Sequence, residues 1–287
     1  MEHMGKVIVI CIIGIVVWVF FYYSNNYVMV SEYRYVNTKI PKSFIGFKIL
    51  QISDLHGDLS RWKKRRIIKL LDKQKPNIVV FTGDAVDHVH RKMYHKSVGI
   101  AKEIVKKYPV YYVTGNHEYM HSECLSIISE YEKIGVTVLR DQRVVIHRAG
   151  EKISIFGIED PYALYKELPP KYLTPTEEFR KHFHEIVVPS DDFCVLLSHR
   201  PEFFEDYVQA EVNLVFAGHA HGGQWWVPFV GGFIAPDQGM FPSYVRGKYQ
   251  KNDTTMFVSR GLGNSVVPIR IFNRPELIVV TLQEEEE

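Results

Sequence analysis

The sequence predicts an α/β protein of one large domain, carried behind a single N-terminal membrane-spanning helix. Three observations predict it. An uncharged apolar run extends from Val7 to Tyr23; short runs rich in Val, Ile and Phe alternate with stretches of helical period; and Asp, His or Asn stands directly after several of those runs.

The N-terminal run, "VIVICIIGIVVWVFFYY" from 7 to 23, is long enough to cross a hydrocarbon layer of ~30 Å as a helix. Lys6 precedes it, and Trp18, Tyr22, Tyr23 and Tyr27 gather at its far end, where amphipathic rings favour the lipid–water boundary. It has no amphipathic face of the kind a core helix needs, and no small-x-small cleavage site follows it. An uncleaved single-pass anchor is expected, with residues 1–31 as anchor and flanks and 32–46 as a juxtamembrane lead-in. Lys6 on one side is met by Glu32, Arg34 and Lys39 on the other, so charge does little to orient it. The short N-terminal flank favours a domain outside the cytoplasm at the cell membrane.

Along the remaining chain, a single unit is expected over 47–282, followed by an acidic tail at 283–287. Strands are predicted at 47–53 (FKILQIS), 77–83 (NIVVFTG), 109–115 (PVYYVTG), 153–158 (ISIFGI), 193–198 (FCVLLS) and 212–218 (VNLVFAG). Two late strands, 254–259 and 276–282, follow segments rich in Gly and Pro. Apolar residues at i, i+3 or i+4 spacing predict helices over Arg61–Lys75, Ser97–Lys107, Glu123–Ile134, Thr176–Ile186 and Glu202–Val208, and Pro201 suits a first turn.

Composition narrows the function classes. With 46% hydrophobic and 24% charged residues among 287, the chain is ordinary for a globular protein, and a net charge of +2 gives no support to a nucleic-acid scaffold. Cys11, Cys124 and Cys194 are too widely spaced for a disulfide framework or a zinc knuckle. No G-x-S-x-G elbow and no G-x-x-x-x-G-K-[ST] loop is present, and "RGLGN" (260–264) is too short a glycine pattern for a dinucleotide.

The strand ends are more telling. The first runs into Asp54 and His56, the second into Asp84, the third into Asn116 and His117, the fifth into His199, and the sixth into His219 and His221. Ligands of open α/β sheets bind outside the carboxyl ends of strands. Alternate residues of an extended segment share a side, so Asp54 can converge with His56 and His219 with His221. Seven nitrogen and oxygen donors exceed the needs of one tetrahedral zinc and suit two divalent ions about 3.5–4 Å apart. Without a thiolate among them, a soft-metal centre is disfavoured, and Mn, Fe or Zn all accept such a set. Glycines beside the ligands, such as Gly83, Gly115 and Gly218, allow sharp turns and close backbone approach.

"DLHGD" (54–58), "GD" (83–84), "GNHE" (115–118), "SH" (198–199) and "GHAH" (218–221) together resemble, in order, the motif set of calcineurin-like metallophosphoesterases, over about residues 47–282. The later "HGGQWWVPFVGG" and "SRGLGNSVVPIRIFNRPELIVVTL" resemble the membrane-associated bacterial phosphodiesterase branch, related to UDP-2,3-diacylglucosamine hydrolases. The resemblance implies a four-layer α/β/β/α sandwich with two mixed sheets. It implies one metal on Asp54, His56 and His221, a second on Asn116, His199 and His219, and Asp84 bridging them. It further implies a hydroxide between the ions as nucleophile and His117 as the general acid, whose ordinary pKa near 6.5 suits neutral pH. The implied substrate is a phosphoester, a diester or pyrophosphate, lipid-linked or nucleotide-linked. UDP-2,3-diacylglucosamine is one alternative, although the hydrolases best known for that reaction carry Arg where this chain has His117. The other is a non-catalytic scaffold, a role typical of relatives that have lost ligands, which this chain has not.

Around these blocks, Asp58 and Glu118 are expected to support their ligand neighbours through hydrogen bonds. His88 and His90 either line the cleft or belong to a loop. "RWKKRR" (61–66) reads as a solvated helix face or as a patch for anionic headgroups, and "QWWVPFVGGF" (224–233) as packing over the sheet or an apolar wall for a lipid-like substrate. The oligomeric state is not readable.

Overall fold

The apolar runs become the strands of two six-stranded mixed sheets packed face to face. The computed structural model describes residues 2–57, 59–89, 93–165, 175–187, 192–264 and 269–284. After the helix α1 (Glu2–Asn26), the first sheet takes β1 (Met29–Val36), β2 (Lys48–Ile52), β3 (Ile78–Thr82), β4 (Val110–Val113), β5 (Thr137–Val138) and the last strand, β16 (Glu276–Gln283), in the order β1-β16-β2-β3-β4-β5. The second sheet takes β6 (Gln142–Arg148), β7 (Glu151–Gly157), β8 (Cys194–Leu197), β9 (Leu214–Ala217), β14 (Gly247–Lys251) and β15 (Thr254–Val258), in the order β14-β15-β9-β8-β7-β6. Two short hairpins, β10 (Trp226–Val227) with β11 (Gly231–Gly232) and β12 (Ile234–Ala235) with β13 (Gly239–Met240), stand between β9 and β14.

Three apolar clusters define four layers. Ile49, Ile78, Val80 and Val280 of the first sheet meet Ile155, Val195, Leu197 and Phe216 of the second. The far face of the first sheet packs on α2 (Arg61–Gln74), α3 (Tyr94–Ile104) and α5 (Cys124–Lys133) through Ile67, Leu71, Ile100 and Ile127. That of the second packs on α6 (Thr176–Ile186) and α7 (Phe204–Gln209) through Phe179, Phe183 and Tyr207. The central strands read as unbroken hydrophobic runs because both their faces are buried. In each sheet the site-bearing strands run parallel: β2 beside β3 beside β4, and β8 beside β9. Their carboxyl ends therefore lie on common edges, and a four-residue helix, α4 (Asn116–Tyr119), starts at the end of β4.

The sequence boundary at residue 47 falls too late. The expected lead-in 32–46 carries most of β1, which pairs in parallel with β16 from Met29 to Val36, and a 3-10 turn at Lys42–Phe44 that buries Phe44 in the inter-sheet core. β1 is an edge strand with only Tyr35 fully buried, so its Glu and Arg read as a polar linker. β6 and β14 escaped for the same reason: each is an edge strand with a mostly exposed pattern. The expected last helix is shorter, because Pro201–Phe203 forms a 3-10 turn before α7. Among the described residues, α1 is the helix long and apolar enough to cross a membrane, and its apolar window is not buried against the domain.

The Tyr35 ring is 2% exposed and its hydroxyl donates to the Asn213 carbonyl of the second sheet at 2.9 Å. A chain beginning at residue 47 should therefore melt well below one beginning at residue 27, by at least ~3 kcal/mol from the lost aromatic burial alone. Thermal melts of the two in the same detergent measure the difference. Equal melting temperatures would remove β1 from the folded unit.

Candidate metal centre

Strand ends and glycines bring the sequence-predicted residues to one buried edge. Asp54, His56, Asp84, His219 and His221 adopt φ values of 50°, 47°, 49°, 65° and 47°. This left-handed region costs an L-residue on the order of 1–2 kcal/mol. Such conformations persist only where the surroundings over-determine them. Close approach does so here: a Cβ on Gly218 would stand 2.1 Å from Ser53 Oγ and 2.6 Å from Asp54 Oδ2, and one on Gly115 would stand 2.3 Å from Asp84 Oδ1.

Two donor clusters result, sharing one residue. In the first, donor atoms of Asp54, His56, Asp84 and His221 lie within 4.8 Å of one another; in the second, those of Asp84, His199 and His219 do. His56 Nε2 lies 3.1 Å from His221 Nε2 and 3.9 Å from Asp84 Oδ2, and His221 Nε2 lies 3.4 Å from Asp54 Oδ1. On the other side, His199 Nε2 is 3.2 Å from Asp84 Oδ2 and 3.2 Å from His219 Nδ1. His199 Nδ1 donates to the Thr82 carbonyl at 2.7 Å, which commits its proton to that nitrogen in the neutral ring and leaves Nε2 with a lone pair facing Asp84. Asn116, buried at the start of α4, has an Oδ1 that meets no hydrogen-bond donor among the described residues. A buried acceptor left unmet costs roughly 1–3 kcal/mol, and a cation beside it would remove that cost.

The electrostatics favour positive charge at the same place. Burial alone would raise the Asp84 carboxyl, but the His199, His117 and His56 imidazoles hold it well below the usual carboxylate range. Asp54 is raised, chiefly by burial, with His199 opposing. Burial pushes His56 down to about 3, with His117 adding to it, and lowers His221 well below the imidazole range. His199 is pushed up to about 10, because Asp84 beside it outweighs the effect of burial. Two neutral imidazoles thus face one carboxylate pair, and a third imidazole is drawn to hold a proton against the shared carboxylate. A divalent ion fits both positions chemically.

Residues 47–223 match the calcineurin-like phosphoesterase family. The chain belongs to that family. It is 29% identical over 267 residues to the uncharacterized metallophosphoesterase YkuE of Bacillus subtilis, spanning 91% of this chain and 88% of that protein. The phosphodiesterase YaeI of Escherichia coli is 28% identical over 242 residues, 82% of this chain and 82% of that protein. The transmembrane protein with metallophosphoesterase domain of Danio rerio is 24% identical over 254 residues, 86% of this chain and 55% of that protein. As a metallophosphoesterase, the chain is a hydrolase of phosphoric esters.

Further groups hold this phosphoesterase centre in place. Glu118 accepts from the backbone N–H groups of Asp84 (3.0 Å), Val86 (3.1 Å) and Gly115 (2.7 Å), tying the ends of β3 and β4 together. His117 donates its backbone N–H to Asp84 Oδ1 at 2.9 Å, and its ring Nε2 lies 4.0 Å from Asp84 Oδ2. On its other side, Nδ1 faces Asp87 Oδ1 at 3.7 Å and His88 Nδ1 at 3.1 Å. Burial would lower His117, but Asp84 and Asp87 raise it overall. His219 Nε2 meets Asp237 Oδ2 at 2.8 Å, and the buried Arg200 guanidinium lies beside both, gripping Asp160 at 2.5 and 3.1 Å.

Sequence reasoning missed several of these groups. Asp87 stands three residues past Asp84 and Arg200 directly after His199, so each had a local signal. Asp160, with Glu159, directly follows the predicted strand 153–158, the one of the first six that delivers no ligand. Asp237 had no signal, because it reaches His219 from a hairpin turn. The His88 ring packs against that of His117, whereas Asp58 and His90 lie outside the described residues.

Asp84 and Gly115 donate to Glu118 Oε2 and Val86 to Oε1, so replacing Glu118 by Gln turns an amide N–H₂ against at least one backbone donor. It should weaken metal retention roughly 10–100-fold, the scale of lost outer-sphere support, and lower stability by about 1–3 kcal/mol. Gly218→Ala should give a folded protein with reduced metal content, since the added methyl displaces Asp54. Metal analysis after gel filtration, beside a thermal melt, reads both variants; full metal content in both would mean that the centre tolerates displaced carboxylates.

Proposed function

We propose that this calcineurin-like phosphoesterase is a membrane-anchored phosphodiesterase working with two divalent ions, held by Asp54, His56 and His221 on one side and Asn116, His199 and His219 on the other. Asp84 is shared, and His117 is the general acid. The observation that carries this reading is the position of Asp84, whose carboxylate belongs to both donor clusters at once. One carboxylate shared between two sets of nitrogen and oxygen donors is a seat for a pair of cations rather than for one.

Ions held there would supply Lewis-acid charge to the phosphoryl oxygens and lower the pKa of a water toward ~7. The chain itself does the rest. Asp84 and Asp54 bring negative charge to a water-excluded pocket, where it attracts cations far more strongly than at a surface. Thr82 and Asp237 orient His199 and His219 by engaging the ring nitrogens that face away from the centre. Burial opposes a proton on His117, but Asp84 and Asp87 raise its pKa overall, which favours the protonated ring beside the shared carboxylate. It can hand that proton to the departing alkoxide, and Asp87 then faces the remaining Nδ1. The diester preference draws on the likeness to the phosphodiesterase YaeI, and the anchor on α1 and its exposed apolar length.

The full chain, purified in detergent and loaded with Mn²⁺, should hydrolyse bis(p-nitrophenyl) phosphate and retain about two ions per chain. Chelation should abolish turnover. His117→Ala should lower kcat roughly 10²–10⁴-fold while leaving metal content unchanged, whereas Asp84→Asn should lose metal from both clusters. A loaded protein that leaves diesters and monoesters intact, or a His117→Ala variant at full rate, would sink the proposal.

A further inference from the structure

The last turns of α1 do not stand clear of the domain. The Phe20 ring meets the Phe272 ring at 5.3 Å, edge to face. Asn25 accepts from the Arg270 backbone N–H at 2.8 Å. Between Phe20 and Asn25, the Tyr23 hydroxyl accepts from Arg274, whose guanidinium lies 5.0 Å over its ring; just past the helix end, Arg66 lies 3.7 Å over the ring of Tyr27. Ordered along the helix, apolar contact comes first, then tyrosine with arginine. That is the order of layers met on leaving a bilayer: hydrocarbon, aromatic belt, phosphate.

Depth follows from helix geometry. The apolar run of α1 ends at Tyr23, and Phe20 lies three residues, about 4.5 Å, nearer the membrane centre. Phe272, docked against Phe20, is carried to that depth whenever α1 spans a bilayer. Phe272 is not isolated. Trp225 Nε1 donates to the Ile269 carbonyl at 3.0 Å and Trp226 N–H to the Ile271 carbonyl at 2.9 Å. From Trp225 the aromatic contacts continue through Phe233 to Phe241 at centroid distances of 5.8 Å each. Outside α1, most of the exposed large apolar side chains among the described residues fall in 225–241 and 269–272. Phe229 is fully exposed, and Met240 and Phe241 are 60% and 59% exposed. A patch of this kind is uncommon on a protein surface that faces only water.

We infer that the hairpin loops 225–241 and the 269–272 segment form a seating face that enters the same bilayer interface as α1, holding the metal centre at the lipid surface. This rests on the reading of α1 as a membrane anchor. The occupant of the face is lipid, because the patch is continuous with the helix and shares its depth. The metal centre adjoins it directly: Asn273 donates to the His221 carbonyl at 2.6 Å and to the Gln224 carbonyl at 3.1 Å. The substrate class favoured by such a seat is a phosphoester borne by a lipid headgroup, which reaches the centre without leaving the membrane surface.

The test is quenching of tryptophan fluorescence by acyl-chain-brominated phosphatidylcholine, with the full chain in nanodiscs. One variant keeps Trp18 as the sole tryptophan and reports the anchor. In a background with Trp18, Trp62, Trp225 and Trp226 replaced by Phe, Phe229→Trp and Phe241→Trp report the face, and Leu125→Trp reports an exposed position on α5. Quenching of at least about twofold at 18, 229 and 241, with none at 125, is expected. Quenching at 18 without quenching at 229 and 241 overturns the seating face while leaving the anchor intact. No quenching at 18 overturns the anchor reading and the face with it. If the multiply substituted background does not fold, hydroxyl-radical footprinting of the native chain decides: Met240, Phe229 and Phe241 should be oxidised severalfold less in nanodiscs than Leu125 once each is scaled to its intrinsic reactivity, and equal scaled rates overturn the proposal.

Discussion

A buried carboxylate that serves two sets of donors at once is the constraint on which the rest of this fold turns. Asp84 is 1% exposed, and an ionised carboxylate so placed is costly unless it is paired. Its partners come from both sheets: His56 at the end of β2, His117 at the start of α4, and His199 at the end of β8. Bringing both sheets within 4 Å of one carboxyl group leaves no room for side chains at Gly115 or Gly218, and it bends the backbone of Asp54, His56 and Asp84 into the left-handed region. Glu118 then ties down the backbone that the bend leaves unpaired. The strain is local, and the two-sheet core beneath it is large enough to bear it. Anything that binds the folded centre and not the unfolded chain stabilises the fold by mass action, so cations and fold are thermodynamically linked.

Much of this was legible in the sequence, and the parts that were not share a physical cause. Central strands announced themselves because burial on both faces demands unbroken Val, Ile and Phe, as in "NIVVFTG" and "FCVLLS". Edge strands did not: β1, β6 and β14 keep polar faces toward solvent and resemble linkers. The same division runs through the site. Asp54, His56, Asp84, His199, His219 and His221 sit where strands end, a position that sequence pattern can locate. Asp87 and Arg200 lay beside recognised residues but carry ordinary structural readings of their own. Asp237 is remote in sequence from His219, and only the folding back of the hairpin after β12 brings it near. Orientation of a ring by a distant carboxylate leaves no periodicity to read.

α1 and the candidate metal centre meet in one short segment, which bears on how rigidly the helix is held to the domain. Residues 269–274 contact α1 through Phe272 and Arg270, hold the backbone of His221 and Gln224 through Asn273, and lead into β16. β16 pairs along its length with β1, which begins three residues after α1 ends. The helix is therefore attached twice, through the chain and through side chains on the adjoining segment, and swinging it away would unmake both. Arg270 reinforces this: it is fully buried, and its guanidinium is satisfied by Asn264 Oδ1 and by the Gly263 and Asn273 carbonyls. A charge placed so deep resists rearrangement, because any shift leaves it without acceptors. An anchor on a flexible tether would let the centre face any direction. This one gives the centre a fixed bearing relative to α1, and under the proposed anchoring that bearing sets which phosphoesters can reach Asp84.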